Sequence, residues 1–199
     1  MKHPLECVDL LGRDCMLEFR WHGRAGQGII TVIRLLASSA ILEGKYVQAF
    51  PQFGPERIGA PIVGYCRISE TPITLHGPIE SPDVVAVLDP TILGLVDVAE
   101  GLKPDGIMIV NSREDPGKIA AKLGVARTYT VDATGICLDI MGSGRAVNIA
   151  IMGAVTKVTG IVSRESLIRV LSERFTGRIL DMNLKVLDRS LAEVRGVEA

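Results

Sequence analysis

The chain has 199 residues, 47% of them hydrophobic, with a formal net charge of −1. That length suits one α/β domain with a substantial core, the charge balance argues against nucleic acid as a partner, and no apolar run is long enough to cross a membrane. Residues 1–15 lack the apolar stretch and cleavage site of a secretory signal, and the cysteines at 7, 15, 66 and 137 form no Cys-x-x-Cys pair, so the expectation is a cytoplasmic protein with buried reduced thiols at Cys66 and Cys137 and no iron–sulfur cluster or structural zinc of its own.

Residues 1–15 read as an N-terminal arm and 16–199 as a single domain, without repeat, low-complexity tract or linker. Leu17–Trp21 alternates as a strand, and Ile29–Glu43 has helical spacing, with Ile29, Val32, Ile33, Leu36, Ala40 and Ile41 on one face. Between them lies His22-Gly23-Arg24-Ala25-Gly26-Gln27-Gly28. A glycine-rich turn from strand into helix leaves the first helical N–H groups unpaired, and the macrodipole adds roughly half a positive charge there, which suits a phosphate or carboxylate. The order is G-x-x-G-x-G rather than G-x-G-x-x-G, and the position where a dinucleotide site wants an acid is Gln48, within Tyr46–Phe50. A nicotinamide site is therefore disfavoured. A tight turn without a ligand is the plain alternative.

Phe50 to Pro61 holds three prolines, two glycines and the adjacent Glu56 and Arg57. Such density forbids a helix or central strand, leaving either a stiff connection or a surface offered to a ligand or partner. Ile62–Ile68 then alternates as a strand, and Thr71–Leu75 is expected to return antiparallel at an edge, where Pro72 is tolerated. Asp83–Leu88, Gly106–Val110 and Ala126–Val131 are apolar runs of the kind buried on both faces of a parallel sheet, with helices expected at Thr91–Gly101 and Pro116–Gly124. The last third is helical: Ala133–Met141, Asn148–Thr159, Arg164–Phe175 and Asp181–Val194, with Ser163 and Asp181 as candidate caps of the last two. The pattern predicts a three-layer α/β/α domain with a mostly parallel sheet, antiparallel edge strands and a helical C-terminal third.

Ligands of open α/β sheets lie beyond the carboxyl ends of the strands. His22 to Gly28, Asp89, Asn111-Ser112 and Asp132 all fall at such ends and are expected to share one edge. Each also has a plainer role: Asp89, Asn111 and Asp132 as caps or turn residues, and His22 as a histidine bonded to local backbone. Met141-Gly142-Ser143-Gly144-Arg145, with Asn148 behind it, is either a second anion site or simply a helix–helix connection.

Trp21–Gly28, Gly44–Pro51 and Phe53-Gly54-Pro55-Glu56-Arg57-x-Gly59-Ala60-Pro61 together resemble the gamma subunit of the 2-oxoacid:ferredoxin oxidoreductases, most closely its pyruvate branch. Ile58 departs from that family, which usually has a polar residue there, and the run Met1–Cys15 is longer than expected. The resemblance implies a complex that converts a 2-oxoacid, most simply pyruvate, and coenzyme A to acyl-coenzyme A and CO2 while reducing ferredoxin. It places thiamine diphosphate, Mg2+ and [4Fe-4S] clusters in alpha, beta and delta subunits. This chain, which has no diphosphate–metal motif and no cysteine cluster, would then carry no catalytic or metal-ligating residue. The implied coenzyme A contacts are His22, Gly23, Arg24, Gly26, Gln27, Gly28 and Asn111, and the implied partner or active-site loop is Phe53, Gly54, Pro55, Glu56, Arg57 and Gly59. Arg24 and Arg57 would meet phosphate, oriented by Gln27 and Glu56. The competing readings are a stand-alone nucleotide- or phosphate-binding enzyme and a purely structural subunit.

Overall fold

The computed structural model describes residues 16–52 and 59–197. Seven strands form one sheet: β1 (Met16–Arg24), β2 (Tyr46–Pro51), β3 (Pro61–Ser69), β4 (Val84–Val87), β5 (Ile107–Asn111), β6 (Arg127–Val131) and β7 (Arg195–Val197). The order across it is β2-β3-β1-β4-β5-β6-β7. β1, β4, β5 and β6 run parallel, while β2–β3, β3–β1 and β6–β7 are antiparallel pairs. The helices are α1 (Ile29–Leu42), α2 (Pro116–Leu123), α3 (Ala133–Met141), α4 (Val147–Thr159), α5 (Arg164–Arg174) and α6 (Gly177–Glu193).

The apolar runs of β4 and β5 feed two cores. Val84, Ala86, Ile107 and Ile109 point into the larger one, filled by α1 and α3 to α6. Val85, Val87, Met108 and Val110 point into the smaller one, closed by Ile92, Val98, Ile119 and Val125. Parallel strands need this double burial, because their crossovers place cover on both faces. The three layers are thus present but unequal.

Thr71–Leu75 forms no strand. The carbonyls of Leu75, Gly77 and Pro78 instead accept from the side chains of Gln48 and Arg67, so this stretch is tied to the sheet by side chains rather than by a ladder. Thr91–Gly101 is not an α-helix; only a 3-10 turn over Pro90–Gly94 forms, with Asp89 as its cap. Ser163 caps α5 as expected, its Oγ accepting from the Ser166 N–H at 3.2 Å. Asp181 caps nothing, because α6 already starts at Gly177.

Candidate functional site

The parallel strands bring their carboxyl ends to one edge, where the glycine turn sits between β1 and α1. Gly26 and Gly28 have φ of 96° and 82°, the left-handed region in which glycine alone is unstrained. Gln27 holds the turn from both ends of its amide. Its Oε1 accepts the Arg24 N–H at 2.8 Å, and its Nε2 donates to Asp89 Oδ2 at 2.7 Å. Asp89 also accepts the Thr91 N–H at 2.9 Å. Burial pushes the Asp89 carboxyl up, but the hydrogen bonds from Thr91 and Gln27 and the charge of Arg24 outweigh it, so the group stays below its ordinary value.

Arg24, expected to meet a phosphate, spends its guanidinium within the protein. It pairs with Asp89 at 3.3 Å, and donates to Thr91 Oγ1 at 2.7 Å and to the Gly59 carbonyl at 2.9 Å. Gly59 thus clamps the turn from the far side, as does the Ala25 N–H, which donates to the Ala60 carbonyl at 2.9 Å. Asn111 is equally committed: Nδ2 donates to the Leu88 carbonyl and to Thr134 Oγ1, both at 2.9 Å, joining the end of β4 to the start of α3. Asp132 caps α3 through Gly135 and pairs with Arg113 at 2.7 Å. The cap reading of Asp89 and Asp132 is what the geometry shows.

His22 lies in β1 between Val63 and Val87. It is only 6% exposed, and its Nε2 has no hydrogen-bond partner among the described residues. Burial, reinforced by the neighbouring charge of Arg20, pushes the imidazole down to about 4, so it is neutral at physiological pH. Gly23 precedes the turn within β1 and packs against Ile29 and Gln27. Phe53, Gly54, Pro55, Glu56 and Arg57 lie outside the described residues. Burial pushes the thiols of Cys66 and Cys137 up to about 12 and about 11, as expected of inert core cysteines.

What remains open is the N-terminus of α1. Among the described residues no side chain caps it, and its first turn has no acidic residue. It faces a cavity of about 280 Å³ bordered by Gly26, Gly28, Arg145, Asn148, Arg174 and Asn183, among others. The two glycine-rich loops singled out in the sequence therefore meet across one cavity. Asn148 ties them, its Nδ2 lying 3.4 Å from the Gly28 carbonyl. Arg174, at the end of α5, carried no sequence signal; only the packing of α5 beside α1 places it here.

The family pattern for Pyruvate ferredoxin/flavodoxin oxidoreductase matches residues 18–193. The chain is 47% identical over 177 residues to the Pyruvate/ketoisovalerate oxidoreductases common subunit gamma of Thermococcus kodakarensis, covering 88% of this chain and 95% of the relative. It is 44% identical over 179 residues to Pyruvate synthase subunit PorC of Methanocaldococcus jannaschii, covering 90% and 97%. Among solved structures, pyruvate oxidoreductase subunit PORC of Thermotoga maritima superposes with a TM-score of 0.82 at 38% identity, covering 92% of this chain and 99% of that one.

Proposed function

Since the chain belongs to the pyruvate ferredoxin/flavodoxin oxidoreductase family, as a gamma-type subunit of an oxidoreductase complex, we propose that its complex converts pyruvate or a related 2-oxoacid and coenzyme A to acyl-coenzyme A and CO2, passing two electrons to ferredoxin. The alpha, beta and delta subunits hold the thiamine diphosphate, Mg2+ and [4Fe-4S] clusters that stabilise the carbanion and carry the electrons. This chain covers the active-site region and receives part of coenzyme A at a shared site. The name of the Thermococcus relative supports that division: one gamma subunit common to pyruvate and ketoisovalerate enzymes leaves the choice of 2-oxoacid to other chains.

The observation that carries the coenzyme A reading is the uncapped N-terminus of α1 at the glycine turn, facing a cavity with arginines on its wall. Such a terminus offers free N–H groups and partial positive charge to a phosphate. Gln27, Asp89 and Arg24 hold the turn in shape through their hydrogen bonds and ion pair.

The test is to isolate the native complex, identify its subunits by mass spectrometry, and assay coenzyme A-dependent reduction of ferredoxin across a panel of 2-oxoacids. Copurification with chains bearing a thiamine diphosphate motif and ferredoxin-type cysteine clusters is expected, together with turnover of pyruvate. The isolated chain is expected to show neither bound iron nor a visible iron–sulfur band. A chain that purifies alone, or a complex indifferent to coenzyme A, refutes the proposal.

A further inference from the structure

The two margins of the sheet differ. β7 is three residues long, opens on an arginine and contains a glycine, an ordinary guard against strand-to-strand pairing. β2 has no such guard. It is six residues long, and the sequence carries no charge between Lys45 and Glu56. Lys45 itself lies 3.7 Å from Glu43 and 3.5 Å from Glu70, so the nearest cation is already neutralised.

The register fixes which backbone groups face outward. The Gln52 N–H donates to the Val63 carbonyl at 2.9 Å, and β2 pairs with β3 in unbroken antiparallel register. Alternation along the ladder then points the N–H and C=O groups of Phe50, Gln48 and Tyr46 at β3, and those of Val47 and Ala49 away from it. Among the described strands none pairs with that outer side. Pro51, the next outward position, has no N–H to offer, and the Lys45 N–H is spent on the Ala40 carbonyl at 3.1 Å. The free ladder is therefore Val47 and Ala49, centred on Gln48.

Such a ladder is complementary to itself. When two copies of β2 meet antiparallel about a two-fold axis at Gln48, Val47 of each lies opposite Ala49 of the other, and each pair exchanges both of its bonds. Sliding the register either way sets Pro51 opposite Val47, or Lys45 opposite Ala49, and leaves a carbonyl without its donor. The same register sets Tyr46, 47% exposed, opposite Phe50 of the other copy. Val47 packs toward the larger core, so Tyr46, Gln48 and Phe50 share the opposite face. There Phe50 borders an open cavity of about 600 Å³ with Gln52, Tyr65, His76 and Pro78. Opposed aromatic side chains strengthen strand pairing, and no like charges are brought face to face.

We propose that β2 is a self-association edge: two copies of this chain join through β2 into one continuous sheet, with Val47 and Ala49 exchanging main-chain bonds across a two-fold axis and Tyr46 of each copy entering the aromatic cavity of the other. The pairing needs no ligand and does not rest on the coenzyme A reading.

Sedimentation equilibrium of the full chain over a range of concentrations tests it. Wild type forms a dimer. A49P removes an outward N–H from both copies and leaves the bonds to β3 intact, so it keeps the fold and weakens dimerisation about tenfold or more. Q48C sets two thiols at the axis, where the Cα atoms of an unbonded antiparallel pair lie about 4.5 Å apart, within reach of a disulfide. Mild oxidation joins the new thiols of the two copies to each other, as peptide mapping reads, and this arm decides should A49P fail to fold. Amide exchange at Val47 slows as the wild-type concentration rises. A wild-type chain that is monomeric at every concentration, A49P dimerising as tightly as wild type, or new thiols that join only to other cysteines overturns the inference. So does protection of Val47 that appears only when a partner subunit is added, since β2 then takes a foreign strand.

Discussion

Replacing Gly28 by alanine tests how far the glycine turn depends on its conformation. Gly28 has φ of 82°, and a Cβ built there lies 2.6 Å from Asn148 Nδ2. The left-handed backbone alone costs an L-residue about 1–2 kcal/mol. Asn148 must then move, straining the packing of α4 and losing its long contact to the Gly28 carbonyl, a further ~1–2 kcal/mol. Gly26 separates the two contributions, because its φ is 96° but a Cβ there meets nothing within 4 Å. Denaturant unfolding of the full chain should therefore show Gly26→Ala destabilised by about 1–2 kcal/mol and Gly28→Ala by about 2–4 kcal/mol. Adding Asn148→Ala to Gly28→Ala should cost less than the two separate changes, with a coupling of about 1 kcal/mol. Equal costs at the two glycines, or strict additivity with Asn148, would refute the account of the turn as a close approach between two loops.

Three further outcomes are expected. The neutral, buried His22 excludes a proton that the unfolded chain binds below its ordinary 6.5; stability should thus fall as pH drops from 7 toward 4, by about 2 kcal/mol at pH 5, and His22→Gln should flatten that slope in urea titrations at the two pH values. Gly153, where a Cβ would lie 2.0 Å from Ser190 Oγ, sets how closely α4 and α6 approach; Gly153→Ala should lower stability by about 1–3 kcal/mol, partly restored by Ser190→Ala, as thermal unfolding can show. Truncating Phe53 or Arg57 to alanine should weaken assembly by about 1–4 kcal/mol if that loop docks on a partner, and an unchanged titration curve in reconstituted ferredoxin reduction would place the interface elsewhere.

The parallel half of the fold was legible because its signal is local: Val84–Val87 and Ile107–Asn111 are apolar throughout, as only doubly buried strands are. The edges were not. β7 is three residues long with an arginine and a glycine, too short for any periodicity, and the Thr71–Leu75 stretch has a strand-like composition but is tied to the sheet by the side chains of Gln48, at Leu75, and Arg67, at Gly77. The glycine turn could be placed from sequence, since glycine spacing between a strand and a helix is a backbone signal. The commitments of its side chains could not. Arg24 beside Gly26 looks like a phosphate ligand until β4 brings Asp89 to it, 65 residues away in sequence. Arg174 was invisible for the same reason, being an ordinary charged position on a helix until α1 and α5 lie side by side.

Because β4 and β5 supply alternate side chains to both cores, neither helical layer can peel away without uncovering half of the same two strands. The sheet margins have no such tie: among the described strands of one copy, β2 and β7 each have a neighbour on one side only. Amide hydrogen exchange of the monomer should therefore rank the molecule from its middle outward. The backbone N–H groups of β4 and β5 would exchange only through global opening, while those of β2 and β7 exchange through local fraying. Within the glycine turn the rates would split: the bonded N–H groups of Ala25 and Gln27 would be protected, while the unbonded ones leading into α1 would exchange quickly.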